Sequence, residues 1–124
     1  MSNNKYKNFR EIPVWQESHQ LTLEIYRVTQ RFPKPEVYGL SSQLRRSSSS
    51  VPASITEGFY RNTTKEFLQY LYIARGSAGE TFYHLILSKD LKYITEIEYE
   101  KLSESYQGII RQISGWIRSI KDKM

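Results

Sequence analysis

Apolar residues recur along this chain at alternating steps of three and four, in four separate runs. In the first, Val14, Ser18, Leu21, Ile25, Val28 and Phe32 share one helical face, flanked by Trp15, His19, Thr22, Tyr26 and Thr29. Pro13 suits a first helical turn, and Pro33 and Pro35 stop the helix. The second run predicts a helix from about Tyr38 to Phe59, with Leu40, Leu44, Ser48, Val51, Ile55 and Phe59 facing inward. Pro52 sits in mid-course. It removes the donor for the Ser48 carbonyl and predicts a kink, and the hydroxyls of Ser47 to Ser50 are placed to bond nearby backbone groups. A rival reading ends one helix at Ser50 and starts another at Pro52; one bent helix is favoured.

The third run opens at Thr63 with Glu66, a capping-box pair. Phe67, Leu71, Ala74, Ala78, Phe82 and Leu85 line its face to about Leu91. Gly76 and Gly79 each weaken a helix by about 1 kcal/mol relative to Ala, so close contact with another backbone is expected there. Thr95 with Glu98 opens the fourth run: Tyr99, Leu102, Tyr106, Ile109, Ile113, Trp116 and Ile120, fraying at Lys121 to Met124. Four helices with short connections make antiparallel neighbours. The expected fold is all-α: an antiparallel up-down-up-down four-helix bundle over residues 13–124, helix 2 kinked near Pro52, with residues 1–12 as a flexible basic arm.

A length of 124 residues fits one domain. Lys and Arg number 18 against 13 Asp and Glu, a net +5 that favours polyanionic partners and equally suits plain solubility. The absence of Cys excludes disulfides, thiolate metal sites and cysteine nucleophiles. No apolar run approaches the roughly 20 residues of a membrane span, and the first residues lack a signal-peptide core, so a cytoplasmic protein without membrane contact is expected. His19 and His84 stand outside any metal-ligand spacing, Asp90 and Asp122 are the only aspartates, and no phosphate-cradling loop is present. No catalytic residue, metal or cofactor is therefore expected.

Arg45 and Arg46 are about 100° apart around a helix, so one turns inward or to an interface while the other meets solvent or phosphate. Arg61 and Arg75 join them if helices 2 and 3 are neighbours. These four arginines are the candidate nucleic-acid contacts, because a guanidinium fork suits phosphate. Structural salt bridging is the stronger rival. Glu57, four residues before Arg61, and Glu80 are read as partners of such arginines. Tyr60, Tyr70, Tyr72, Tyr83 and Tyr106 are candidates for base stacking, although core or interface roles are commoner for aromatics at helical spacing. Trp15 and Trp116 are read as packing anchors.

Several blocks line up with one family: Val14 to Gln16, Phe32-Pro33, Tyr38 to Leu40, Gln43 to Arg46, Val51 to Gly58, Glu66-Phe67 and Ile73 to Ser77. In this ordered set the chain resembles the four-helix bundle proteins of 23S rRNA intervening sequences, which are similar to the accessory variability proteins of diversity-generating retroelements. The resemblance covers about Phe9 to Tyr93. It implies an antiparallel bundle assembled as a ring-like homopentamer. Trp15, Tyr38, Glu57 and Glu80 are read as structural or interface positions. The retroelement relatives bind nucleic acid and a reverse transcriptase through basic surfaces. Ser47 to Ser50 and Thr56 depart from the alanines common in the family, keeping small size. Three functions are weighed: a non-enzymatic RNA- or DNA-binding oligomer, RNA being favoured; a protein-interaction scaffold or reverse-transcriptase accessory; and, last, an enzyme with a site between helices.

Overall fold

A computed structural model describes residues 5–124, so the first four residues of the expected arm lie outside the described residues. Four helices account for most of the chain: α1 (Pro13–Thr29), α2 (Leu40–Phe59), α3 (Thr64–Asp90) and α4 (Glu96–Asp122). Among the described residues there is no strand. Phe9–Glu11 forms one 3-10 turn ahead of α1, where Phe9 meets the edges of Trp15, Phe59 and Tyr60 and Ile12 is buried.

Side-chain bonds give the register of each helix pair. Trp15 Nε1 donates to Thr56 Oγ1 (2.9 Å), and Arg45 Nε donates to Thr29 Oγ1 (2.8 Å), so α1 ascends as α2 descends. Ser77 bonds Ser50 (2.9 Å) and Thr81 bonds Ser47 (2.8 Å), reversing α3 against α2. Phe67 packs on Trp116 while the Lys89 ammonium lies over the Tyr99 ring, reversing α4 against α3. Gln112 reaches Glu17 (2.7 Å) and Arg31 reaches Glu98 (2.5 Å) between α4 and α1. Each sequential pair is antiparallel.

The inward stripes read from the sequence form the core. Val14, Ile25, Val28, Leu44, Val51, Ile55, Phe67, Leu71, Ala74, Ala78, Leu85, Ile109 and Ile113 are buried. Phe59, Phe82, Tyr99 and Trp116 are partly buried against it.

α2 starts at Leu40 rather than Tyr38. Lys34–Tyr38 forms a 3-10 turn instead, leaving Tyr38 95% exposed. Glu36 ties this turn down: Oε1 accepts from the Leu40 amide (3.0 Å) and Oε2 from the Tyr93 hydroxyl (2.8 Å). These two bonds hold the Glu36 carboxyl below its ordinary pKa, the amide contributing most.

α2 runs through Pro52 as one element. The Ser48 carbonyl, deprived of its donor by Pro52, accepts a hydrogen bond from Thr22 Oγ1 of α1 (3.0 Å). Ser47, Ser48 and Ser49 bond back to the carbonyls of Leu44, Arg45 and Arg46, while Ser50 turns to Ser77. Small side chains thus let α2 and α3 lie close, and their hydroxyls satisfy one another across the seam.

The expectation for Gly76 and Gly79 is overturned within the chain: a Cβ at either would meet nothing within 4 Å. Gly58 is the close-packed glycine. A Cβ there would lie 2.9 Å from Tyr70 Cβ and 3.1 Å from Phe67 Cδ1.

α4 opens with a complete capping box, Thr95 and Glu98 bonding each other's amides. At α3, Thr63 Oγ1 accepts from the Glu66 amide (3.1 Å), but the Glu66 carboxylate takes the Thr63 hydroxyl (2.9 Å), so only half the box forms. α3 ends in a Schellman motif, the Tyr93 amide reaching Ser88 O and the Lys92 amide reaching Lys89 O, with Lys92 at φ 66 where glycine is usual.

Candidate nucleic-acid interface

The four arginines singled out by sequence lie in four places. Arg45 turns to α1: Nε bonds Thr29, its fork lies 3.3 Å from Tyr26 O, and its plane covers the Tyr26 ring at 4.7 Å. Arg46, one residue on, turns to α3 and meets Glu80 at 3.5 Å with its side chain largely in solvent. Glu80 also bonds the Nε2 of buried His84 (3.2 Å), whose Nδ1 has no partner. Arg61 closes a triad at the α2–α3 turn with Glu57 (3.2 Å) and the Tyr70 hydroxyl. Arg75 leans toward α4, bonding Ser114 (3.3 Å) and lying over Tyr72 at 5.5 Å.

The remaining candidates sort by burial. Trp15 anchors α1 to α2 through Thr56, whose hydroxyl in turn donates to Pro52 O (2.9 Å), bonds that an alanine at this position would lack. Tyr38, Tyr60 and Tyr83 are exposed. Tyr106 is fully buried and cannot meet a base; burial raises its pKa, opposed by the Ser48 hydroxyl nearby. Glu57 and Glu80 belong to separate networks and do not converge with both histidines. Among the described residues, no cluster of three His, Asp or Glu could hold a metal.

Charge is partitioned along the bundle axis. The registers place residues 5–21, 50–77 and 109–124 in one half, and 22–49 and 78–108 in the other. The first half carries ten Lys or Arg against five Asp or Glu; the second carries eight of each. The whole net +5 therefore sits in one half. Among the described residues, Arg61–Glu57 is the one Lys or Arg ion pair in that half; Arg27–Glu24, Arg31–Glu98, Arg46–Glu80 and Lys89–Asp90 all lie in the neutral half.

Sequence reasoning missed the main source of this field. α4 changes sign along its length: Glu96, Glu98, Glu100 and Glu104 crowd its start, while Arg111, Arg118, Lys121 and Lys123 crowd its end. Cations near a helix C-terminus are favoured by the backbone dipole. Arg118 and Lys121 join Arg75, Ser114 and one carboxylate, Asp122, around a shallow hollow of about 360 Å³. Of the predicted arginines, Arg61 and Arg75 share the basic half; Arg45 and Arg46 do not.

Residues 10–115 match the family model described as 23S rRNA-intervening sequence protein. A solved structure from Bacteroides thetaiotaomicron, described as a protein with unknown function from the S23 ribosomal protein family, is similar to this chain. The two share 27% identity over 84% of this chain and 97% of the other, with a TM-score of 0.76. No curated protein matches. The family match ends before Trp116, Arg118, Lys121 and Lys123.

Proposed function

The chain belongs to the 23S rRNA-intervening sequence protein family, and we propose that it works as a non-enzymatic, oligomeric nucleic-acid-binding protein whose basic half contacts RNA in preference to DNA. The observation that carries this reading is the concentration of net charge in one half, with most of its cations free of carboxylate partners. Cations already neutralised by neighbours gain little from a phosphate, and four of the eight in the other half (Arg27, Arg31, Arg46 and Lys89) are paired in this way. The family's connection with 23S rRNA supports RNA as the polyanion.

Self-association is the second part of the proposal. α3 carries Tyr72, Ile73, Gly76, Gly79, Tyr83 and Leu87 along its outer side; Ile73 is 49% and Tyr83 56% exposed. Exposed apolar side chains grouped on one side of a helix mark a candidate contact surface. The two glycines lower helix stability without any contact inside the chain, which fits a surface another copy approaches. As a homopentamer, the assembly implied by the family resemblance, five copies of +5 carry +25.

Titration with single-stranded RNA at low salt tests the reading. With about four phosphates engaged per copy, affinity falls about 50-fold between 50 and 200 mM salt. A reverse transcriptase or other protein partner held by a salt-insensitive complex, with no RNA or DNA bound at low salt, would replace this reading with the scaffold or accessory role.

A further inference from the structure

We infer that the cleft beside Trp116 receives an unpaired nucleotide of single-stranded RNA, the indole lying against the base and the flanking lysines against phosphate. The inference rests on the RNA-binding reading above and goes further by naming the strand state and the site. Trp116, Ser119 and Ile120 recur at helical spacing on one side of α4, and Lys123 caps the helix one residue beyond its end. With Lys5 and Thr64 they line a cleft of about 530 Å³, inside the roughly 300–1,000 Å³ range of small-molecule sites. Met124 completes the lining, and among the described residues no Asp or Glu side chain joins it. On its other side Trp116 borders a second hollow of about 340 Å³, which Lys5 and Tyr6 also line. Tyr6, Lys5, Trp116 and Lys123 thus alternate aromatic and cationic groups along a trough.

The indole is held in place before any ligand arrives. Its ring packs edge-on against Phe67, centroids 5.1 Å apart at 69°, so little rotational freedom remains to be lost. A pinned aromatic among cations is the arrangement that grips single strands, since each unpaired base offers a flat π-face. In a duplex those faces are stacked away, and only phosphates reach the lysines. The trough therefore discriminates by strand state with little regard to sequence. Trp116, Ser119, Ile120 and Lys123 lie beyond the family match, which stops at residue 115, whereas Thr64 and Phe67 lie within it.

The test uses the full chain in a Trp15→Phe background, so that Trp116 is the sole indole. The probes are an oligouridylate of about 12 nucleotides and an RNA duplex of equal charge. The expected result is quenching of Trp116 by the single strand, with binding tighter than to the duplex. Trp116→Leu should weaken the oligouridylate about 5- to 100-fold and leave the duplex nearly unchanged. Lys123→Gln, at an exposed position that tolerates change, should weaken both probes and serves if Trp116→Leu does not fold. RNA binding with a silent Trp116, or equal affinity for both probes, overturns the cleft while leaving the RNA reading in place. Failure of both probes to bind at low salt overturns both.

Discussion

Replacing Thr22 by Val should reveal how the bundle tolerates a proline inside α2. Pro52 cannot donate to the Ser48 carbonyl, and Thr22 Oγ1 of α1 supplies the missing bond at 3.0 Å. Thr22 and Ser48 are both buried, so water cannot take over. Valine keeps the shape and removes the donor. An unsatisfied buried carbonyl costs about 1–3 kcal/mol. The Thr22 hydroxyl also lies 3.0 Å from Ser18 O and has one proton to share, which points to the lower end, about 1–2 kcal/mol. The decisive assay is a double-mutant cycle with Pro52→Ala, followed by urea unfolding at fixed protein concentration. Alanine restores an amide at position 52 for Ser48 O, so Thr22→Val should then cost much less. The expected coupling is about 1 kcal/mol or more. Additivity within about 0.5 kcal/mol would refute the claim that Thr22 stands in for the lost amide.

Lys92 holds a left-handed conformation at the end of α3, so Lys92→Gly should raise stability by up to about 1 kcal/mol, seen as a later urea midpoint. Glu36 has its carboxyl pKa depressed by the Leu40 amide and the Tyr93 hydroxyl. Its contribution is therefore complete above the unfolded-state pKa of about 4.3 and lost as pH falls through the lower folded-state value. Thermal unfolding from neutral pH down to about pH 3 should show a smaller acid-side loss in Glu36→Gln than in the parent. Ile73→Glu places a charge among the exposed apolar side chains of α3; light scattering should show a smaller assembly with unchanged helicity, and an unaltered mass would remove α3 from the interface.

The bundle was legible because core positions recur at steps of three and four over runs long enough to exclude other periods. Val14 to Phe32 and Leu40 to Ile55 needed nothing more. The arginine pair was also half legible: a 100° offset separates adjacent side chains, and Arg45 and Arg46 do turn to different neighbours, Thr29 and Glu80. Other features depend on depth and neighbours, which spacing does not encode. A glycine in a helix reads the same whether it faces Tyr70, as Gly58 does, or open space, as Gly76 does. Tyr106 stood both on the apolar stripe of the fourth run and among the candidates for base stacking, and only the first holds, since it is fully buried. Tyr38 lies outside α2 because Glu36 caps the Leu40 amide, a bond made by a side chain four residues away. The charge partition was obscured because its members come from three distant segments that meet only once the helices reverse. The sign change within α4, from Glu96–Glu104 to Arg111–Lys123, was readable along the chain and marks the same half.

The most direct measurement compares RNA affinity across a salt series for three proteins: the parent, a triple Gln variant of Arg118, Lys121 and Lys123, and a double Gln variant of Arg45 and Arg46. Loss of affinity and a shallower salt dependence in the triple variant, with the double variant close to the parent, is the predicted result. An unaffected triple variant beside a crippled double variant would contradict the placement of the interface on the basic half.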